Sequence, residues 1–546
     1  MHRDVFDYLS SKGHLCSYNE SDDTISINVV VEERSIELIM KFPRFYPYEF
    51  PEIYCYQDLD FRMPHVYTSK QLCLYDENEE IADPQFFLDI STIMVNRAIK
   101  LLTDSINGDN FLEYNVEAIS YWNSKSDALI TMLNFDDSYS HFIIGYCLLD
   151  NIYICADSHE DIVDFVKYKY DIEISEEDMI RILYVKSKLV ITSCIRNLRD
   201  IEVWLIGQEN KSVFNNFLLQ LNEQSIIVSQ FDNGKGNCLL GIKLGRLKSN
   251  GIVINKKNVA GVIRANSGRK FEKIQIRDMR MKRLFTRGGD GRAVFDKKCL
   301  FVGCGSVGSF LIKAVTEIGI SDDISIIDKD ILSPDNIARH LCGASYILCD
   351  SKATAVGKYM KDMYPTIKCN SIHKNVLELI ENKGDFFCEY DLVFVTVGNS
   401  VLEKEFVQLF KQGNLKQCII VWVEPYLIAG HAVILNSEVN DFTYNNIFDT
   451  QGRFNISVIE DSKKYLKSEA GCQSAYAPYA GFEVQKFVLD FIDIYYNEIY
   501  EKKNKGNYIF TWFGKMKWAR QNQITIKPEY RAIDDRSIRL KRIDVE

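Results

Sequence analysis

The stretch CLFVGCGSVGSFLIKAVTEIG, residues 299–319, decides the fold. Its apolar start, Cys299-Leu300-Phe301-Val302, reads as a buried strand, and Gly303-Cys304-Gly305-Ser306-Val307-Gly308 turns that strand into a helix. A G-x-G-x-x-G turn in this setting aims unpaired backbone N–H groups and the positive end of a helix dipole at one point, which suits phosphate. A glycine turn needed only for tight packing would look the same. Asp328 favours the first reading, because it ends the next apolar strand, Ile324-Ser325-Ile326-Ile327, 20 residues after Gly308, where a carboxylate can hydrogen-bond a ribose.

Working outward, DLVFVTV (391–397) and CIIVWV (418–423) are further near-continuous apolar strands between helical stretches. Such strands belong in a parallel sheet covered on both faces. Between the second strand and the next helix lie Asp328-Lys329-Asp330, then Asn336, Arg339 and Lys352. A hydride-transfer enzyme has no need of these last three donors. An enzyme that moves an adenylyl group does, because attack of a carboxylate on an α-phosphate builds negative charge on the phosphate and on departing pyrophosphate.

Taken together, these residues resemble the adenylation domain of the ThiF and ubiquitin-activating enzyme superfamily, with its glycine loop, D-x-D, N-x-x-R and downstream Lys, over residues 290 to 430. The resemblance implies that Gly303, Gly305 and Gly308 cradle ATP, that Asp328 holds the ribose, and that Asn336, Arg339 and Lys352 contact the phosphates. It also implies magnesium. Much of that family ends the strand read here as DLVFVTVGN with an Asp-Asn pair that helps hold the metal; this chain has Gly398-Asn399, which leaves Asp330 or Asn399 as substitutes and the ligand set unassigned.

Two cysteines stand out among 15, none of them in a C-x-x-C pair. Cys472 lies in GCQSAYAPYAGF ahead of a helix-like run; its C-x5-P pattern resembles the catalytic-cysteine loop of ubiquitin-activating enzymes, and a thiol at a helix start can be both acidic and accessible. Cys73 follows Phe42-Pro43-Arg44-Phe45-Tyr46-Pro47-Tyr48-Glu49-Phe50-Pro51, then Pro64-His65-Val66 and Leu72-Cys73-Leu74. That order resembles the proline segment, H-P-N and I-C-L elements of ubiquitin-conjugating enzymes, with Trp122 fitting the same pattern. Val66 and Tyr67 stand where the proline and the oxyanion-stabilising Asn would be, so His65 and Tyr67 become the candidate accessory donors. Either cysteine could instead be a structural core thiol.

The length of 546 residues allows several domains, and the lack of Pro-rich or Gly/Ser-rich linkers makes their boundaries matters of pattern. We expect an α+β ubiquitin-conjugating-like domain over 1–125, a linker domain of unclear role over 126–285, and a Rossmann-like α/β adenylation domain with a catalytic-cysteine loop over 286–546. Lys and Arg total 65 against 76 Asp and Glu, a net charge of −11, which argues against sequence-independent nucleic-acid binding. The N-terminus shows no signal-peptide pattern and no long uncharged apolar stretch occurs, so we expect a cytoplasmic protein without membrane contact.

Both ends together resemble the fused ubiquitin-activating and ubiquitin-conjugating enzymes of CBASS antiphage operons. That family implies adenylation of a protein C-terminus, that of a cGAS-like nucleotidyltransferase, followed by relay through Cys472 and Cys73 to a target amine. It also implies a homodimer, in which Arg283 and Arg287 reach a partner's ATP unless they are plain surface charges. Three alternatives stay open: conjugation of a ubiquitin-like protein, an NAD-linked oxidoreductase on the same glycine loop, and a non-catalytic scaffold.

Overall fold

The computed structural model describes all residues except 60–62, 68, 76–79, 112, 114–118, 120–121, 123–127, 188–194, 208, 220–224, 246, 248–254, 256, 350, 383, 451–452, 469–474 and 545–546, and omits the side chains of 204, 382, 384, 385 and 475. The chain divides into two compact units, Met1–Asp278 and Met279–Glu546.

The first unit opens with helix α1 (His2–Ser11) and a four-stranded antiparallel meander, β1 (Leu15–Asn19), β2 (Thr24–Val31), β3 (Arg34–Lys41) and β4 (Glu52–Tyr54). Period-two alternation makes this sheet one-sided. Ile25, Ile27, Val29 and Val31 of β2 face inward with Ile36, Leu38 and Met40 of β3, and helix α2 (Phe87–Asn107) covers them through Met94, Val95, Ala98 and Leu102.

Residues 128–278 then form a closed barrel, in the order β10-β11-β5-β7-β6-β8-β9. Its strands are β5 (Ala128–Met132), β6 (His141–Leu149), β7 (Ile152–Ala156), β8 (Met179–Lys186), β9 (Ser225–Asp232), β10 (Asn237–Leu244) and β11 (Glu272–Asp278). Ile130, Ile143, Tyr153, Ile182, Val228 and Ile274 fill one core cluster, while α3 (His159–Tyr170) and α4 (Lys211–Leu218) contribute to two others. Trp122 belongs here: it is buried in the α4-side cluster and its indole N–H donates to the Gly241 carbonyl at 2.9 Å, so its burial is explained by the barrel.

The second unit is an eight-stranded sheet in the order β14-β13-β12-β15-β16-β17-β20-β21. Its first five members, β12 (Lys298–Val302), β13 (Asp323–Ile327), β14 (Lys368–Ile372), β15 (Leu392–Val395) and β16 (Cys418–Val423), are parallel. The remaining three, β17 (Ala429–Leu435), β20 (Tyr508–Phe513) and β21 (Ser537–Arg542), extend it antiparallel. A small ribbon of β18 (Lys467–Ser468) and β19 (Ala475–Tyr476) flanks residues 469–474. Near-continuous apolar strands are explained by two cores: Cys299 and Phe301 enter one beneath α5 (Ser306–Glu317), α6 (Lys352–Met363) and α8 (Gly481–Tyr495), whereas Leu300 and Val302 enter the other with α7 (Ser400–Lys411). This is the multidomain α/β and α+β architecture expected.

Packing of α8 on the sheet is close enough to test. A Cβ at Gly430 of β17 would lie 2.4 Å from the ring of Phe487, which is fully buried. Gly430→Ala should therefore destabilise this unit by roughly 1–3 kcal/mol, the usual cost of overpacking, read from urea unfolding.

Candidate active site

The parallel strands end at a cavity of about 620 Å³, and the glycine loop forms its floor. Gly303 has φ +89° and its Cα faces the Thr396 backbone, where a Cβ would come within 3.2 Å. Only glycine takes that conformation without strain. A Cβ on Gly308 would stand 2.2 Å from the Gly303 carbonyl oxygen, so this glycine lets helix α5 sit on the loop; Gly303 and Gly305 line the cavity, and Gly308 stands behind them. Asp328 holds the arrangement together, accepting the Cys304 N–H and the Asp330 N–H, each at 2.8 Å.

The polar residues singled out by sequence converge on the same cavity: Asp330, Asn336, Arg339 and Lys352 all line it. Lys352 Nζ pairs with Asp330 Oδ2 at 2.9 Å. Asn336 uses its side-chain oxygen in a capping box with Ser333, which leaves its amide N–H₂ as the donor for a ligand. Arg339 donates from Nη1 to the Ala477 carbonyl at 3.1 Å and lies over the Tyr479 ring, 5.1 Å from its centroid. Asn399 is different. Its Oδ1 caps α7, accepting from Val401 and Leu402 N–H, and so the amide oxygen that a metal would want is committed to the helix.

Three groups here escaped the sequence reading. His340 receives the Cys342 N–H at Nδ1, so the other nitrogen carries the proton and donates to the Cys304 carbonyl at 2.7 Å; burial lowers its pKa and keeps the ring neutral. Thr396 donates to the Gly303 carbonyl at 2.8 Å. Trp422, on the far wall, carries no motif of its own, because it reads only as one more apolar strand residue. Cys304 is fully buried despite its place in the loop, and burial pushes its thiol well above the ordinary range.

In the first unit, Cys73 is half-buried and its N–H donates to the His65 carbonyl at 2.7 Å. His65 is in the left-handed region, φ +58°, and its Nε2 meets Glu113 Oε2 at 3.0 Å. Tyr67 instead points its hydroxyl at Cys73 Sγ, 3.5 Å away. Cys472 lies outside the described residues. Arg283 and Arg287 are both exposed.

Residues 277–408 match the ThiF family, and residues 10–131 match prokaryotic E2 family B. The chain thus carries a stretch that matches an E2 family ahead of one that matches the ThiF family. A stretch of 193 residues is 23% identical to the ATP-dependent ubiquitin transferase-like protein Cap2 of Pseudomonas aeruginosa, covering 35% of this chain and 34% of that protein. Another of 93 residues is 32% identical to the uncharacterized protein y4oA of Sinorhizobium fredii, covering 17% of this chain and 15% of that one. The chain thus spans about a third or less of the length of these curated relatives. Among solved structures, E. coli MccB with AMPCPP and selenomethionine MccA aligns at a TM-score of 0.29 and 13% identity, over 45% of this chain and 64% of that one. TcdA (CsdL) aligns at 0.27 and 12%, over 38% and 88%. The cavity is lined from the ThiF-matching stretch and from residues 421–423, 477 and 479 beyond it, and Cys73 lies in the E2-matching stretch. Among the described residues no helix is long and apolar enough to cross a membrane.

One buried carboxylate of the second unit gives that unit's stability a pH signature. Glu403, in the first turns of α7 and 2% exposed, is pushed by burial from its ordinary 4.5 up to about 7, against the opposing pull of the Gly398 and Asn399 N–H groups. The folded state therefore holds a proton that the unfolded state has released, and stability falls as pH rises from about 4.5 to about 7, by an amount on the order of 3 kcal/mol. Glu403→Gln should remove this part of the pH dependence in denaturant titrations between those limits.

Proposed function

We propose that the chain is an E1/E2-like ligase that activates a protein C-terminus with ATP and passes it through two cysteines to an amine. The observation that carries this is the convergence of Asp330, Asn336, Arg339 and Lys352 on the cavity above the glycine loop. Two cations and an amide donor around a phosphate-binding loop are what adenylyl transfer requires; hydride transfer builds no phosphate charge for them to neutralise.

In this reading a C-terminal carboxylate oxygen attacks the α-phosphorus of ATP, and the bond to pyrophosphate breaks. Backbone N–H groups of the loop and the Asn336 amide receive the phosphates, while Arg339 and Lys352 neutralise the charge that grows in the transition state. Asp328 takes the ribose. Magnesium fits the donor set through Asp330, an exposed carboxylate beside the phosphate site, together with ATP's own oxygens; the metal neutralises phosphate charge when bound. Cys472 then attacks the acyl carbon and releases AMP, Cys73 takes the acyl group by thioester exchange, and a target amine displaces Cys73 to leave an amide. We place the protein in the cytoplasm as a homodimer, with a cGAS-like nucleotidyltransferase as acyl donor in CBASS antiphage defence; the similarity to Cap2 and the two matched family models support the E1/E2-like chemistry of this reading.

Pyrophosphate exchange with ATP and a cGAS-like nucleotidyltransferase tests the first step. Arg339→Ala and Lys352→Ala should each lose roughly 2–4 kcal/mol of transition-state stabilisation, about thirtyfold to a thousandfold in rate, as when a preorganised donor is removed. Unchanged exchange removes both from the mechanism.

Discharge from Cys73 tests the last. The Tyr67 hydroxyl faces the sulfur while the His65 ring is turned to Glu113, so we assign the oxyanion donor to Tyr67. Tyr67→Phe should form the Cys73 thioester normally yet slow its single-turnover discharge to lysine about tenfold or more, whereas His65→Ala should discharge near the wild-type rate. Wild-type discharge in Tyr67→Phe places the donor elsewhere.

A further inference from the structure

The segment that carries Cys472 leaves the sheet after Leu435 and ends where helix α8 begins at Gly481. One turn fastens it on both sides. Glu424, following β16, is buried at 5% exposure. Its Oε1 accepts the Val458 N–H at 2.6 Å and meets His431 Nε2 at 2.7 Å, and its Oε2 accepts the Ile459 N–H at 2.8 Å. Two residues later, the Tyr426 N–H donates to the Pro478 carbonyl at 2.6 Å. Val458 and Ile459 precede Cys472 in the chain, and Pro478 follows it.

The same turn holds two consecutive non-glycine residues in the left-handed region, Tyr426 at φ 57° and Leu427 at φ 52°. Backbone of this kind persists only where its surroundings over-determine it. Here they do: Leu427 is fully buried, its N–H returns to the Glu424 carbonyl at 3.0 Å, and Trp422 stacks on both His431 and Phe454. Glu424 itself is not part of the cavity wall, but the segment it fastens carries Ala477 and Tyr479, which line the cavity and hold Arg339.

We propose that the Glu424–Leu427 turn is a clamp on both flanks of the cysteine-bearing segment, with Glu424 a positioning residue for the step in which Cys472 takes the acyl group. This rests on the reading of Cys472 as acyl acceptor. A carboxylate is suited to the task because both oxygens accept, which satisfies two buried backbone N–H groups and a histidine at once. Alanine leaves all three donors buried without a partner; glutamine keeps one acceptor and turns an N–H₂ toward the rest.

The test compares three readouts in the full chain. Tryptic cleavage at the exposed Lys463, Lys464 and Lys467 reports release of the segment. Pyrophosphate exchange, with a cGAS-like nucleotidyltransferase as acyl donor, reports adenylation, and single-turnover thioester formation on Cys472 with the same donor reports acyl capture. Glu424→Ala should speed cleavage and slow capture at least tenfold, and slow exchange clearly less than capture, with Glu424→Gln in between. Wild-type cleavage and capture in Glu424→Ala overturn the clamp, and so does a loss of exchange in step with capture. Should Glu424→Ala not fold, Glu424→Gln carries the comparison, and failure of both to fold reduces the turn to a folding element and overturns the inference. A wild-type chain that forms no Cys472 thioester, but whose lysines open in Glu424→Gln, supports the clamp and overturns the relay instead.

Discussion

The Asp328 carboxylate is the interaction on which the ThiF domain's site depends. By accepting the N–H of Cys304 and of Asp330 it ties the end of β13 to the glycine loop after β12, and it fixes the turn from which Asp330 reaches Lys352. A loop with so few side chains has no packing of its own to hold it. Its shape comes from that carboxylate, from Thr396 and His340 donating to its carbonyls, and from the absence of a Cβ at Gly308. Removing any of these moves the N–H groups that a phosphate would use.

Much of this was legible because chemistry and chain order coincide there. The strand–loop–helix at 298–317 and the second strand ending before Asp328 were read close to their observed bounds, since apolar runs and glycine spacing are local signals. Arg339 and Lys352 were recognisable for the same reason. Gly308 was assigned to ATP, and the structure puts it behind the loop, a distinction that depends on the distance to the Gly303 carbonyl and not on the motif. Asn399 was a candidate metal ligand, and its Oδ1 proves to be engaged by α7; an N-cap is visible only once the helix start is known.

The middle of the chain was silent for a physical reason. Its individual strands, such as His141–Leu149, were readable, but the barrel closes through pairs distant in sequence, β5 beside β11 and β8 beside β9, both parallel. Periodicity says which face of a strand is buried and nothing about its neighbour. Trp122 illustrates the consequence: it matched a motif of one domain and is packed against the barrel. Around Cys73 the sequence offered His65 and Tyr67 on equal terms. The left-handed backbone at His65 sends its ring to Glu113 and leaves the Tyr67 hydroxyl at the sulfur, which no spacing rule could have told.

In the proposed relay one chain holds two acyl carriers used in a fixed order, because the adenylate would form at the cavity beside the glycine loop. The direct measurement is an ATP-dependent, reductant-sensitive adduct with the acyl donor, mapped by mass spectrometry in single-cysteine variants. Cys73→Ala should retain the adduct on Cys472, and Cys472→Ala should show none on Cys73. An adduct on Cys73 in the absence of Cys472 would contradict the relay.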